Sequence, residues 1–426
     1  MTRVLVIGGG VGGLALAQAL TGAGVPVEVF ERDAESADWL QGYRIHVNRH
    51  GSRALHRCLP RPLWEAFVAT SGRPGLGFAF QTEQLDELLF VEEELMTGGS
   101  DDPADGNYAV SRIALRRLLL AGLKVHFGRT FERYELGDDG TVTAFFADGT
   151  SATGDVLIGA DGANSAVRGQ FLPGARRVDT DVVGVAGRVR LDDETRAWLP
   201  ARIQHGLNIV LPRGEGFLFS AVFDGRRRTA DALGAGLDLA GYGLTPDALL
   251  DDIEDYVLWA FCARAGDMDA LTSRWHPDLR RMIADADPAS VYSMRFKTST
   301  PVEPWPTSRV TLLGDAIHNM TPVMGLGANT ALRDAALLAH QLVAVHRGEA
   351  ELLAALHEYE RRMLAYGFDA VKTSRSSAYR FTSPNALAKR GMRAWLRTCS
   401  AVPSMKRSSF GSTWTDDTAG LETVSR

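Results

Sequence analysis

Residues 3–31 read RVLVIGGGVGGLALAQALTGAGVPVEVFE, and this stretch decides the fold. RVLVI at 3–7 is a short, almost unbroken apolar run that stops at glycines. A small-residue helical stretch from Leu14 to Leu20 follows, and then VPVEVFE at 25–31. Apolar runs of this length suit strands buried on both faces. Two such strands joined by a helix form a parallel pair, and that crossover is right-handed.

Gly8-x-Gly10-x-x-Gly13 lies between the strand and the helix, the context that gives the pattern meaning. Gly8 allows the tight turn, Gly10 lets a pyrophosphate reach the backbone, and Gly13 lets helix and strand approach closely. The first-turn N–H groups then face the phosphates. Glu31 ends the second strand about 20 residues further on, where a carboxylate accepts ribose hydroxyls, and Arg32 follows it. The chain opens with a Rossmann-type half.

Outward from this unit, YRIHVNRHGSRALHRC (43–58) predicts a strand turning into a helix, and SRIALRRLLL (111–120) an amphipathic helix. KVHFG, FERYEL and TVTAFFADG, between 124 and 149, read as a small strand meander. DVLIGADG (155–162) returns to the buried parallel type. After Arg168 long strands appear at 182–191, 207–212, 216–225 and 291–297, interrupted by a helix predicted over 247–264 with Leu250, Ile253, Val257 and Phe261 at helical spacing. VTLLGDA at 310–316 resumes the buried-strand pattern, followed by helices near 330–342 and 349–366. KRGMRAWLRTC (389–399) is a basic amphipathic helix that we expect to lie across a domain junction, and the residues after Phe410 are expected to fray.

Composition narrows the function. The 426 residues are 45% hydrophobic and 23% charged, with mean hydropathy −0.08, as in a globular protein of two to three domains. Lys and Arg number 46 against 52 Asp and Glu, a net charge of −6, so no global basic field attracts nucleic acid. No apolar stretch is long enough for an integral membrane span, and the N-terminus lacks a cleavage site, which points to the cytoplasm. Cys58, Cys262 and Cys399 are far apart, which argues against a disulfide framework or a zinc ribbon, and no metal site is expected.

Two further segments extend the reading. DVLIGADGANSAVR (155–168) and GDAIH (314–318), the latter followed by Pro322, Gly325, Gly327, Ala328 and Asn329, resemble the DG and GD motifs of the flavoprotein aromatic hydroxylases. These are single-component FAD monooxygenases of the para-hydroxybenzoate hydroxylase type, and the resemblance spans residues 1 to about 375. It implies an α/β fold: a discontinuous Rossmann-type FAD-binding domain (1–75, 100–180, 298–375), an inserted β-sheet substrate domain (76–99, 181–297), and a C-terminal helix and tail (376–426).

The resemblance also implies a set of cofactor-binding residues: Gly8, Gly10, Gly13, Glu31, Arg32, Arg44, Arg112, Asp161, Asp315, Pro322, Gly325, Gly327, Ala328 and Asn329. Asp315 is placed to accept from a ribityl hydroxyl, and the loop from Pro322 brings helix N–H groups to the flavin. His318 reads as structural. The resemblance further implies a cycle in which NADPH or NADH reduces the FAD, O2 forms a flavin C4a-hydroperoxide, and one oxygen atom enters an aromatic or olefinic small molecule, in secondary metabolism or aromatic degradation. No side chain is assigned as catalytic. The strand at 216–225 puts Phe217, Phe219, Ala221 and Phe223 on one face, so Phe217 and Phe219 are candidate substrate contacts. An epoxidase of terpenoid or indole substrates, or a non-oxygenating reductase or dehydrogenase of the same fold, remains as an alternative. Substrate identity and the number of copies in the assembly are not legible.

Overall fold

The computed structural model describes residues 2–34, 44–72, 75–223, 236–245, 248–249, 255–264 and 266–411. The first sheet has five parallel strands, β1 (Val4–Ile7), β2 (Val27–Phe30), β7 (Val125–His126), β11 (Val156–Gly159) and β17 (Val310–Leu312), in the order β17-β11-β1-β2-β7. Val4 pairs with both Val27 and Val156, so the opening strand is central. The helix Val11–Gly22 crosses between β1 and β2, and every residue from Gly12 to Leu20 is buried. It is enclosed because it lies between the sheet and the helix Leu326–His346. Gly12 permits that contact, since a Cβ there would stand 3.2 Å from Ala331 Cβ of that helix and would also press on Leu313 Cδ2 after β17.

The second sheet has seven strands: β4 (Gly77–Gln81), β5 (Glu87–Glu92), β12 (Arg177–Arg190), β13 (Leu207–Val210), β14 (Phe217–Phe223), β15 (Tyr256–Ala263) and β16 (Tyr292–Ser299). They run in the order β16-β12-β15-β14-β13-β4-β5. A two-stranded ribbon of β3 (Arg44–Val47) and β6 (Tyr108–Ser111) sits between the sheets, and β8 (Phe131–Leu136), β9 (Val142–Phe146) and β10 (Ser151–Gly154) form a small antiparallel sheet.

Three expectations need correction. The segment expected to be helical over 247–264 is β15 from Tyr256 onward, with Val257 and Phe261 pairing to β14; Leu250 and Ile253 lie outside the described residues. Helical and strand spacing coincide over so short an apolar run, and here the β-branched and aromatic content of YVLWAFCA prevails. KVHFG is not part of the meander: Val125 and His126 pair in parallel with Val29 and Phe30. The helix expected at 349–366 runs from Leu352 to Phe381, so the boundary drawn after 375 falls inside it. Tyr43 and the tail from residue 412 lie outside the described residues.

The C-terminal helix Ala386–Ala401 does cross a junction. Its buried residues are Lys389, Arg393, Leu396 and Cys399, so the one face turned inward carries two cations beside apolar groups, while Arg390 and Arg397 stay exposed. Lys389 Nζ donates to the carbonyls of Gly216 (2.8 Å) and Phe381, and Arg393 Nε donates to the Leu211 carbonyl at 3.0 Å. Arg393 also pairs with Glu83. The helix thereby ties the end of Leu352–Phe381 to the second sheet. Among the described residues no helix is long and apolar enough to cross a membrane.

Candidate active site

The glycine turn has the geometry its spacing predicts. Gly8 has φ +113°, and a Cβ there would stand 2.3 Å from the Ala160 carbonyl oxygen. A Cβ on Gly13 would stand 2.3 Å from the Gly8 carbonyl oxygen. Gly10 differs: it caps the helix Val11–Gly22, is exposed, and would have nothing within 4 Å of a Cβ if it carried one. The open helix N-terminus is therefore reachable by a phosphate. Glu31 is 8% exposed, and its carboxylate accepts from Gly9 N at 2.6 Å and from Asp33 N at 3.0 Å. Arg32 beside it points outward and lies 3.7 Å from Asp33.

Asp161 follows β11 and closes the floor of this turn. Its Oδ2 accepts from Ala166 N (2.7 Å) and Val167 N (3.2 Å), capping the helix Ala166–Phe171. Its Oδ1 is buried without a partner among the described residues. An open glycine turn, a held carboxylate and an orphaned buried oxygen fit a dinucleotide such as FAD.

The second half of the site grows from β17. Gly314 has φ +64°, and its N–H donates to Asp334 Oδ2 at 2.8 Å, which fixes the turn into the short helix Asp315–His318. Asp315 is exposed and faces two arginines. Burial lowers the pKa of Arg112, opposed by Tyr292 and Asp315, and burial lowers that of Arg177, opposed by Asp315. Arg112 opens the helix Arg112–Leu120 behind the cap of Ser111. His318 is enclosed against Asp334, as a structural residue should be.

Pro322 and Gly325 are exposed on the loop that enters Leu326–His346, and Ala328 is half-buried in its first turn. Positive φ occurs at Met324 (+74°) and Gly325 (+63°), not at Gly327. Gly327 is helical, and a Cβ there would lie 3.8 Å from Met320 Cγ and 4.0 Å from Asp315 Oδ1. Its smallness keeps the space before Asp315 clear. Asn329 is spent on the scaffold: Oδ1 accepts from Asn48 N (2.9 Å), and Nδ2 donates to the carbonyls of His46 (2.9 Å) and Gly325 (2.8 Å). It clamps the loop to β3.

The loop meets the second sheet through Val323, which is buried with Ile209, Phe217, Cys262 and Phe296. On this face Phe219, Ala260, Ala186 and Tyr292 stand in one row across β14, β15, β12 and β16. Phe217 requires correction as a substrate contact: it is 3% exposed, with its ring 5.4 Å from that of Phe381, so it is covered by the long helix. Phe219 is half-buried. Arg44, on β3, turns its guanidinium to the second sheet, where Nη1 donates to the Val222 carbonyl at 2.7 Å. Sequence reasoning missed Arg177 and Tyr292, which belong to no local motif and reach the site only by pairing across the second sheet, and Asp334, which comes from the helix Leu326–His346.

A model of the FAD binding domain family matches residues 1–229 and 264–374. The dual O-methyltransferase/FAD-dependent monooxygenase elcB of Phaeosphaeria nodorum is 33% identical over 377 residues, which is 79% of this chain and 39% of that protein. The chain thus spans about two-fifths of the length of that curated relative. The FAD-dependent urate hydroxylase of Klebsiella pneumoniae is 29% identical over 364 residues, 84% of this chain and 85% of that one. Among solved structures, a Photorhabdus luminescens protein named for an FAD-containing monooxygenase has 32% identity and a TM-score of 0.78, covering 90% of this chain and 99% of its own. Klebsiella pneumoniae HpxO, solved with FAD and uric acid, shares the fold at 23% identity and a TM-score of 0.74, covering 96% of this chain and 95% of its own. With the glycine turn, the Asp161 and Asp315 segments and the loop from Pro322 gathered at the ends of the neighbouring strands β1, β11 and β17, the chain belongs to the FAD-binding family of the flavoprotein monooxygenases.

Proposed function

We propose that this chain uses FAD, a reduced nicotinamide nucleotide and O2 to insert one oxygen atom into an apolar, multi-ring aromatic or olefinic compound in the cytoplasm. The observation that carries the reading is the meeting of the Pro322–Asn329 loop with the sheet face bearing Phe219, Ala260, Ala186 and Tyr292. A helix N-terminus thereby confronts an apolar wall with a floor of small residues.

FAD, when bound, supplies the electron transfer and oxygen activation that no side chain provides. Gly10 and the first-turn N–H groups after it would hold the pyrophosphate, Glu31 a ribose, and Asp315 a ribityl hydroxyl. The free N–H groups at the start of Leu326–His346 would favour negative charge on a flavin held beside them. Phe219 and the two alanines exclude water from that side. Residues drawn from the first sheet serve the cofactor on this reading, and those of the second sheet the substrate.

The test is purified chain with FAD, NADPH or NADH, and 18O2, offered a panel of polycyclic phenols and olefins. Substrate-stimulated nicotinamide oxidation with one 18O atom per product is the expected result. Product reduced at a double bond without label would instead identify a reductase of the same fold.

A further inference from the structure

Successive residues on β3 point to opposite sides, which separates Ile45 and Val47 from Arg44 and His46. Val47 is fully buried in the core of the first sheet and Ile45 packs against that core. Arg44 and His46 therefore face the seam between the ribbon, the second sheet and the loop. Arg44 Nη1 donates to Val222 of β14, and its backbone N–H donates to the Tyr256 hydroxyl of β15 at 2.8 Å. On the loop side, a Cβ at Gly325 would stand 3.9 Å from that of His46. Ala109 of β6, Phe223 and Tyr256 close the seam with Leu258 packed against them.

Two polar atoms here are buried without a partner among the described residues, Arg44 Nη2 and His46 Nδ1. Arg44 is 8% exposed, and no described carboxylate pairs with it. A buried guanidinium N–H left unpaired is costly, so native proteins rarely keep one without a use. A guanidinium donates only, so an acceptor must complete it. Burial, and then the charge of Arg44, push His46 down to about 3, so its ring is neutral and adds no second charge. The next residues along the same face, Ala221 and Phe219, are apolar.

We propose that Arg44 and His46 anchor the substrate through one acceptor oxygen carried on its ring system, a carbonyl or an oxyanion, while the rest of the ring lies along the half-buried Phe219. The proposal rests on the monooxygenase reading and deepens it: Arg44 is the specificity-determining residue. An analogue without the oxygen would leave the buried N–H unpaired and bind roughly ten- to a hundredfold more weakly.

The test compares 1-tetralone with tetralin, which lacks the carbonyl, as ligands of the oxidised FAD-loaded protein, followed by the change in flavin absorbance. Wild type should prefer 1-tetralone ten- to a hundredfold, Arg44→Met should hold both alike, and Arg44→Lys should retain part of the preference. FAD affinity is measured on the same variants. Equal affinity in wild type overturns the proposal, as does an Arg44→Met variant that keeps the preference. So does a tenfold weaker FAD affinity in Arg44→Met, because the free N–H then belongs to the cofactor. If Arg44→Met does not fold, Arg44→Lys decides: a preference reduced more than threefold supports the anchor, and a smaller change overturns it. These outcomes leave the monooxygenase reading intact, whereas a wild-type chain that takes up no FAD sinks both.

Discussion

His318 and Asp334 form a fully enclosed pair, with Nε2 2.7 Å from Oδ2 and neither side chain exposed. The same carboxylate accepts from Gly314 N and from the Tyr366 hydroxyl (2.6 Å), so one acid on Leu326–His346 holds both the turn before Asp315 and the long helix behind it. Burial disfavours the charged imidazole, but Asp334 outweighs it and raises the His318 pKa. A raised histidine stabilises the fold fully below about pH 6.5, and that contribution is lost as pH climbs through the raised value. Urea unfolding at pH 6 and pH 9 should show wild type losing stability that His318→Gln does not lose. Asp334→Ala, which strips the buried histidine and two other donors of their acceptor, should cost about 3–5 kcal/mol.

Glu31 is held for its task by Gly9 and Asp33, and its removal should act on FAD. Glu31→Ala should weaken FAD binding roughly ten- to a hundredfold, and Glu31→Gln, which keeps one acceptor oxygen, should weaken it less. Flavin fluorescence titration measures both. Unchanged affinity in Glu31→Ala would remove the residue from the site.

Gly8 and Gly327 should fail differently. Gly8→Ala forces a Cβ onto the Ala160 carbonyl at φ +113°, so folding itself should suffer, with loss of a few kcal/mol. Gly327→Val leaves the helical backbone possible and instead fills the space before Asp315. Its melting temperature should stay within a few degrees of wild type while FAD content falls. Thermal melts paired with the flavin-to-protein absorbance ratio separate the two, and a normal FAD content in Gly327→Val would move the flavin elsewhere.

Lys389 gives the C-terminal helix its own pH signature. Burial, then the charge of Arg393, pulls the ammonium down to about 8, against 10.5 in the unfolded chain. Between these values the unfolded chain binds more protons, so stability should rise with pH, by up to about 3 kcal/mol. Lys389→Met should abolish that rise. A wild-type profile flat from pH 8 to 10.5 would show that the two carbonyl bonds keep the lysine charged.

The opening unit was legible because its constraints are local. Gly8, Gly13 and Glu31 act within one turn and two strands, and a buried parallel strand announces itself as an apolar run. β15 was not legible, because YVLWAFCA satisfies both periodicities and its partners lie across the sheet. The same holds for Tyr292, which faces Arg112, and for Arg177, which faces Asp315, since both come into place only once β12 and β16 have paired. Asn329 was recognised by position, but its bonds to Asn48 and His46 join segments far apart in the chain, a partnership no local pattern encodes. Phe217 and Phe219 look equivalent in alternation, and only the passage of Phe381 over one of them tells them apart.

Val310 pairs with Leu157, so β17 completes the first sheet only after every strand of the second has been synthesised. The helix Val11–Gly22, buried from Gly12 to Leu20, waits longer still, for a partner that leaves the ribosome about 300 residues later. Until then the nascent chain carries a greasy helix and an open strand edge, the two features that most invite aggregation. The late return that builds the cleft therefore also sets the period during synthesis when this protein most depends on chaperones, and a ribosome stalled before residue 310 releases a chain whose nucleotide domain has no means of closing.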